Sequence, residues 1–311
     1  MATIGQWLEG ARLRTLPLAV APVLIGTGAA FGAIGGFTGL VIGSPHSSSG
    51  PEQSLAGLFG RAFLALLVSL FLQIGSNYAN DYSDGIRGTD DVRVGPLRLT
   101  ASGLVPPRAV KNAAFTCFGI AGLAGILLIV VAQAWWFVPV GFAAVLAAWF
   151  YTGGKRPYGY MAMGELFVFV FFGLVATLGT TYALIGRLTP AAVAGAIGIG
   201  LLSCAVLMVN NLRDIPTDTQ AGKTTLAVLL GDRRARFAYA GLVFAPYVLL
   251  LVPILTGEAA AVLAALSLVL AIAPLQTVLG GSTGTALIPC IKSTSLAALV
   301  YAALLALGIA L

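Results

Sequence analysis

The chain has 311 residues, of which 59% are apolar and only 9% charged, with a formal net charge of +6. A soluble domain carries about 25% charged residues, so a water-soluble globular enzyme is excluded and an integral membrane protein remains. The mean hydropathy of +0.97 says the same.

Apolar stretches of about 17–25 residues read as membrane-spanning helices. In chain order nine are predicted, near residues 15–35, 56–79, 109–130, 133–151, 165–186, 190–211, 236–256, 259–279 and 293–310. The first follows Arg12 and Arg14 and superficially resembles a signal peptide. Pro17 and Pro22 inside it, with eight further spans behind it, argue that it is retained as a helix. The outer segment 36–55 is rich in Gly, Ser and Pro and holds the lone histidine, His46, read as a loop residue. Cys117, Cys204 and Cys290 are isolated, with no CxxC pair and no metal-ligand spacing.

With the N-terminus inside, only Arg61 and Arg187 of the 17 Lys and Arg residues fall on the outer side. That asymmetry sets orientation in multi-span proteins. The positive charge is therefore a topology signal, and no nucleic-acid partner is implied. The expected fold class is an all-α membrane protein of nine transmembrane helices in the cell's inner (plasma) membrane, with a cytoplasmic N-terminus. Residues 1–311 form a single domain of two four-helix pseudo-repeats, about 1–152 and 153–280, with a final helix at 293–310. The repeat is read from two acidic motifs that close the second and sixth spans, four helices apart.

Those motifs carry the chemistry. The second span ends in Asn77-Tyr78-Ala79-Asn80-Asp81-Tyr82-Ser83-Asp84, and the sixth in Asn210-Asn211-Leu212-Arg213-Asp214-Ile215-Pro216-Thr217-Asp218. One carboxylate at the centre of a bilayer costs roughly 2.5–3.5 kcal/mol, and several at one helix mouth repel each other. Such clusters persist when a cation neutralises them. Asn77 and Asp81, Asn80 and Asp84, and Asn210, Asp214 and Asp218 are each spaced by four, which puts them on one helix face. Pro216 is predicted to kink or end the sixth helix, leaving Asp218 on an irregular turn.

Carboxylates and amide oxygens are hard ligands that suit Mg²⁺, which binds one or two carboxylates and takes substrate phosphates as further ligands. Two facing clusters can hold two such ions bridged by a diphosphate, with both motifs lying at the cytoplasmic side. Arg87, Arg93, Arg98, Lys155, Arg156, Arg213 and Lys223 are available on that side for phosphate oxygens. Arg98, Lys155 and Lys223 are favoured by their surroundings, whereas most inner cations are plain topology anchors. Tyr82, Tyr151 and Tyr158 read either as interfacial residues or as orienters of an aromatic substrate. Glu165 reads as an acid complementing a helix N-terminus. A phosphate ligand entering a greasy bundle implies a lipid tail, hence a polyprenyl diphosphate.

Asn80-Asp81-Tyr82-Ser83-Asp84 resembles the NDxxD signature of UbiA-type intramembrane aromatic prenyltransferases. Asp214-Ile215-Pro216-Thr217-Asp218, with Gly222-Lys223-Thr224-Thr225 downstream, resembles their second motif. Arg14-Thr15-Leu16-Pro17 with Ala21-Pro22, Gly95-Pro96-Leu97-Arg98 and the stretch from Tyr151 to Tyr160 narrow the likeness to members acting on 1,4-dihydroxy-2-naphthoate. The resemblance implies Asp81, Asp84, Asp214 and Asp218 as catalytic residues, joined by Asn77, Asn80 and Asn210 as metal ligands. It implies Asp90, Arg98, Tyr151, Lys155, Arg156, Arg213 and Lys223 for substrate. Relatives often carry another Asp where this chain has Gly88, and Asp90 is the candidate to replace it. The implied partners are a polyprenyl diphosphate, 1,4-dihydroxy-2-naphthoate and membrane lipid, with Mg²⁺ as cofactor. Other acceptors (4-hydroxybenzoate, homogentisate or haem) are the nearest alternative. A secondary transporter is the alternative from another class, although its site would lie at the midplane and not at one face.

Overall fold

The computed structural model describes residues 2–36, 54–89 and 97–311. Among these the chain is all-helical, and its one extended pairing is an isolated bridge between Met161 and Thr224. The helices are α1 (Ile4–Gly10), α2 (Pro17–Ala33), α3 (Leu55–Arg87), α4 (Pro107–Ala132) and α5 (Phe137–Phe150). They continue with α6 (Gly164–Ile185), α7 (Pro190–Gln220), α8 (Leu226–Leu255), α9 (Ala259–Leu279) and α10 (Gly284–Ala310). Eight helices among the described residues are long and apolar enough to cross a membrane. The chain is thus a multi-pass membrane protein.

The predicted span at 133–151 is α5, with only 14 residues. At 1.5 Å per residue it is about 21 Å long, against a hydrocarbon core of roughly 30 Å. Its first predicted turn is taken up otherwise: Gln133 adopts a left-handed φ of 52° that ends α4, and Trp135 and Trp136 form the corner.

Local sequence explains where the long helices start. Ser54, Thr189 and Thr225 each accept a hydrogen bond from the backbone N–H three residues on, the usual service of an N-cap hydroxyl. The two outer cations foreseen from sequence cap helix ends. Arg61 donates to Leu184 O at 3.0 Å, and Arg187 donates to Ala33 O at 2.8 Å, satisfying carbonyls that have no partner within their own helix.

Helix α7 is the hub, packed by α2, α6, α8 and α10. In lipid there is little hydrophobic drive between helices, so close backbone approach at small residues holds them together. A Cβ on Gly173 would lie 2.6 Å from Gly200 Cα, and one on Gly28 would lie 2.5 Å from Ala306 Cα. Larger residues there would force α6 off α7 and α2 off α10.

Pro216 does not end the helix as the sequence suggested; α7 runs through it to Gln220. Proline removes one N–H from the ladder, but neighbouring groups hold the turn. Thr217 Oγ1 donates to Asp214 O at 3.0 Å, and Thr219 Oγ1 to Ile215 O at 2.7 Å. The Lys223 N–H then closes on Asp218 O at 2.8 Å. Asp218 is therefore helical, one turn beyond Asp214.

Candidate functional site

A cavity of about 690 Å³ lies between α3, α4, α5, α6 and α7. It has a polar mouth and an apolar shaft. Along α6 its wall runs from Phe167 to Tyr182, through a π-helical stretch at Phe169–Val175. Asn77, Asn80 and Asp84 from α3 meet Asn210 and Asn211 from α7 at the mouth, with Lys223 and Arg98 beside them. The two acidic motifs, 130 residues apart in the sequence, open on one space.

Within the first motif the four predicted ligands do different things. Asp81 is 1% exposed, and its two oxygens take the N–H groups of Leu99 and Thr100, each at 2.8 Å. It does not line the cavity, and in this arrangement it clamps the turn that carries Arg98. Asn77 lines the cavity, but its Nδ2 donates to Ala11 O at 2.9 Å and ties down the N-terminal segment. Asn80 Oδ1 accepts from Thr152 Oγ1 at 2.8 Å. Asp84 faces the cavity and accepts from Tyr160 OH through Oδ1 at 2.8 Å.

Gly88 explains the departure from the expected acidic spacing. It takes φ 71° and ends α3, while the Thr89 N–H returns to Asp84 O and the Gly88 N–H to Gly85 O. This is a left-handed helix stop, a conformation that glycine adopts without strain. An Asp at this position would have to bear the same φ. Asp90, the proposed substitute, and Arg93 lie outside the described residues.

In the second motif Arg213 forks onto Asp214, with Nε and Nη2 each 2.7 Å from a carboxylate oxygen. The same Nη2 reaches Asn210 Oδ1 at 3.0 Å. Both partners of this pair are buried. Arg213 thus neutralises Asp214 and is not presented to the cavity as a phosphate ligand. Lys223 lies 3.2 Å from Asp218 and lines the cavity.

The segment 151–163 joins the two halves. Arg87 donates to Thr152 O and Gly154 O, fastening the segment to α3. On the other side Thr224 N–H donates to Tyr160 O at 3.1 Å, and Ala162 N–H to Thr224 O at 2.7 Å. Tyr160 therefore sits between the motifs, its hydroxyl on Asp84 and its ring beneath Lys223 Nζ, 5.4 Å from the centroid. Burial, followed by the charge of Asp84, pushes its phenol above the usual tyrosine value. Tyr151 is raised by burial and then by Glu165, with smaller effects from Tyr158, Asp84 and Asp218. Both phenols keep their protons at neutral pH, and Tyr160 serves as a neutral donor to Asp84.

Of the predicted substrate residues, Arg98, Tyr151 and Lys223 line the cavity. Lys155 and Arg156 are exposed and are not among the lining residues. Tyr158 lines the cavity, while Tyr82 stacks on Trp149 at 6.2 Å outside it. Sequence reasoning missed Tyr160, Thr152, Asn211 and Arg12. Arg12 reaches the cavity because its left-handed φ of 53° turns the chain between α1 and α2, and no sequence pattern announces such a residue. Tyr160 was within the motif stretch already singled out; only its partner across the fold was hidden.

The donor set fits a hard divalent cation. Asp84 and the amide groups of Asn80 and Asn210 supply oxygen donors at the cavity mouth, and Asp218 stands behind Lys223 at 3.2 Å. Among the described residues no three acidic, His or Cys side chains gather closely enough to hold an ion unaided. Mg²⁺ matches such a sparse site, because it retains waters and completes its shell with substrate phosphates.

Fold and site together define a polytopic helical membrane protein whose paired acidic motifs open on a single apolar cavity. The chain belongs to the UbiA prenyltransferase family, whose model matches residues 33–287. It is 47% identical over 302 residues to the 1,4-dihydroxy-2-naphthoate octaprenyltransferase of Mycobacterium tuberculosis, covering 97% of this chain and 96% of that one. It is 38% identical over 250 residues to the Escherichia coli enzyme of the same name, covering 78% and 74%. The structure of a UbiA homolog from Archaeoglobus fulgidus bound to GPP and Mg²⁺ superposes with a TM-score of 0.56 at 18% identity, over 96% of this chain and 99% of that one. At that identity the likeness concerns the fold.

Proposed function

We propose that this protein transfers a polyprenyl chain from a polyprenyl diphosphate to 1,4-dihydroxy-2-naphthoate, a step of menaquinone biosynthesis. One observation carries the reading: Asp84 of the first motif, Asn210 and Asn211 of the second, and Lys223 converge at the polar mouth of a cavity whose shaft is lined mainly by apolar residues of α6 from Phe167 to Leu178. That is the shape of an amphiphile with an anionic head. The relatives named above act on the same acceptor.

In this reading Asp84, Asp214 and Asp218, with Asn80 and Asn210, would hold Mg²⁺ for the diphosphate, and the archaeal homolog with GPP and Mg²⁺ supports a metal of this kind. Two ions, one per motif, suit the two-sided arrangement. When bound, the metal draws negative charge off the leaving group. Lys223, Arg98 and Arg12 face the diphosphate and stabilise the charge that develops as the C1–O bond breaks and its electron pair leaves with diphosphate. The ring carbon bearing the acceptor's carboxylate then bonds to prenyl C1. The C–CO₂ bond breaks and returns its pair to the ring, so carbon dioxide departs and demethylmenaquinol remains. The reaction needs no histidine base.

The setting follows the charge asymmetry. The N-terminus and both motifs lie on the cytoplasmic side of the cell's inner membrane, with surrounding lipid admitting the tail. The short helix α5, flanked by Trp136 and Tyr151, makes a ninth crossing. Residues 1–311 form one domain of two four-helix pseudo-repeats and a last helix. The extensive packing of α3 on α4 and of α7 on α8 supports that reading.

The test is an assay of purified enzyme with dihydroxynaphthoate and a series of prenyl diphosphates, with and without EDTA. Product should form only with metal present. Turnover of 4-hydroxybenzoate or homogentisate, with none of dihydroxynaphthoate, would overturn the acceptor assignment.

A further inference from the structure

Glu165 has no part in the chemistry above, yet it is the most exacting side chain in the membrane-embedded region. It stands in the first turn of α6 and is 7% exposed. An ionisable residue inside a spanning helix is costly and marks function by default. Its Oε1 accepts one hydrogen bond, from Asn211 Nδ2 at 3.0 Å. Its Oε2 is buried and has no hydrogen-bond partner.

The partner is the informative part. Asn211 lines the cavity, and so do Tyr151, Tyr158 and Phe167. Tyr158 stacks on Phe167 with centroids 4.0 Å apart, and Tyr151 stands edge-on to Tyr158 at 5.5 Å. An aromatic wall therefore adjoins Asn211 near the mouth where the motifs meet. An asparagine amide has a donor end and an acceptor end, whereas a carboxylate oxygen can only accept. Glu165 consequently takes the NH₂ end of Asn211 and leaves Oδ1 as the end available to a ligand.

We propose that Glu165 is a positioning residue: by fixing the amide of Asn211, it makes the cavity wall an acceptor for a ring hydroxyl of the aromatic substrate, seated against Tyr151, Tyr158 and Phe167. The inference rests on the prenyl-transfer reading and adds the chemical class that the wall selects, a hydroxylated aromatic ring with its O–H intact. Ring orientation and discrimination against O-alkylated rings follow from the same contact. A purely structural tie between α6 and α7 would have no such preference.

The experiment combines Glu165→Gln with monomethyl ethers of dihydroxynaphthoate used as competitive inhibitors. In the wild type one of the two ethers should bind at least about tenfold more weakly than the parent, the consequence of stranding a buried acceptor. In the variant, the introduced side-chain amide can donate to Asn211 and turn its NH₂ toward the ring. KM for dihydroxynaphthoate should then rise about tenfold, KM for the prenyl diphosphate should stay within about twofold, and the discrimination against the ether should shrink. Equal weakening of both substrates, or unchanged discrimination, would overturn the inference. If the variant does not fold, the wild-type arm still decides, because equal binding of parent and both ethers refutes a hydroxyl-accepting wall. Failure of wild-type enzyme to turn over dihydroxynaphthoate, with turnover of another phenolic acceptor, sinks the function reading instead, and the ether test then passes to that acceptor.

Discussion

Asp81→Asn separates a metal ligand from a structural clamp. The carboxylate receives two backbone N–H donors, from Leu99 and Thr100, at 2.8 Å each, and both Asp81 and Leu99 are fully buried. Hydrogen bonds to a charged group contribute about 1.5–3 kcal/mol each. Asparagine can accept only one of the two, so about 2 kcal/mol is lost. The stranded N–H adds a desolvation penalty of about 1–2 kcal/mol. The expected destabilisation is therefore about 3–4 kcal/mol, or a fall in Tm of roughly 5–10 °C at a few degrees per kcal/mol. Differential scanning fluorimetry in detergent reads this directly. A Mg²⁺ titration of activity is the second readout: its midpoint should stay within about twofold in Asp81→Asn, while Asp84→Asn should move it about tenfold or more. An unchanged Tm together with a displaced Mg²⁺ midpoint in Asp81→Asn would refute the clamp and restore the residue to the metal.

Tyr160→Phe removes the donor to Asp84 but leaves the ring under Lys223, and kcat/KM should fall about 10- to 100-fold with little change in Tm. The Asp84–Tyr160 bond should also be insensitive to alkali: a raised phenol value means its stabilisation is complete below about pH 10 and is lost only as pH climbs through the raised value. Tyrosinate absorbance of wild type and Tyr160→Phe should then coincide below about pH 10. Lys223→Ala should raise KM for the prenyl diphosphate about tenfold or more, whereas Lys155→Ala and Arg156→Ala, both exposed and away from the cavity, should change it by less than about twofold. Gly28→Val places a side chain where a Cβ already meets Ala306 at 2.5 Å, and overpacking of this kind should lower stability by about 1–3 kcal/mol or more in a thermal unfolding assay.

Much of the fold was legible because the bilayer imposes a coarse code. Composition excluded a soluble protein, and apolar runs located the helix starts at 17, 55 and 190 within two residues, whereas α3 and α7 run eight and nine residues past the predicted ends because the polar motifs continue the helix. The helix α5 starts four residues later than hydropathy suggests because the left-handed turn at Gln133 uses up the first predicted turn. Of the two outcomes expected at Pro216, an end to the helix does not occur: α7 continues to Gln220, with the hydroxyls of Thr217 and Thr219 on the carbonyls of Asp214 and Ile215, partners that carry no periodic signal. Spacing by four correctly put Asn80 and Asp84 on the face that lines the cavity. It could not tell that Asp81, its helical neighbour, turns to the backbone of residues 99 and 100. Long-range partners such as Tyr160 for Asp84 and Glu165 for Asn211 have no spacing at all.

The division of labour inside each motif follows from electrostatics. Four carboxylates could not face one cavity without ruinous repulsion unless metal were always present. The fold satisfies each acid differently: Asp81 by backbone amides, Asp214 by the Arg213 fork, Asp218 by Lys223 and Asp84 by the Tyr160 hydroxyl. Two of these partners are soft constraints. A neutral phenol and a partly exposed lysine give way more readily than a buried bidentate arginine, whose removal from its carboxylate would strand both charges. Under the proposed function, Asp84 and Asp218 would accordingly be the acids most able to exchange partners for a cation arriving with diphosphate; both contact the same loop system, through Tyr160 and Lys223. That system is tied to α3 through Arg87 and to the second motif through Thr224. On that proposal, occupancy at either acid would bear on the other through this shared segment, which is how two motifs far apart in sequence would answer to one diphosphate.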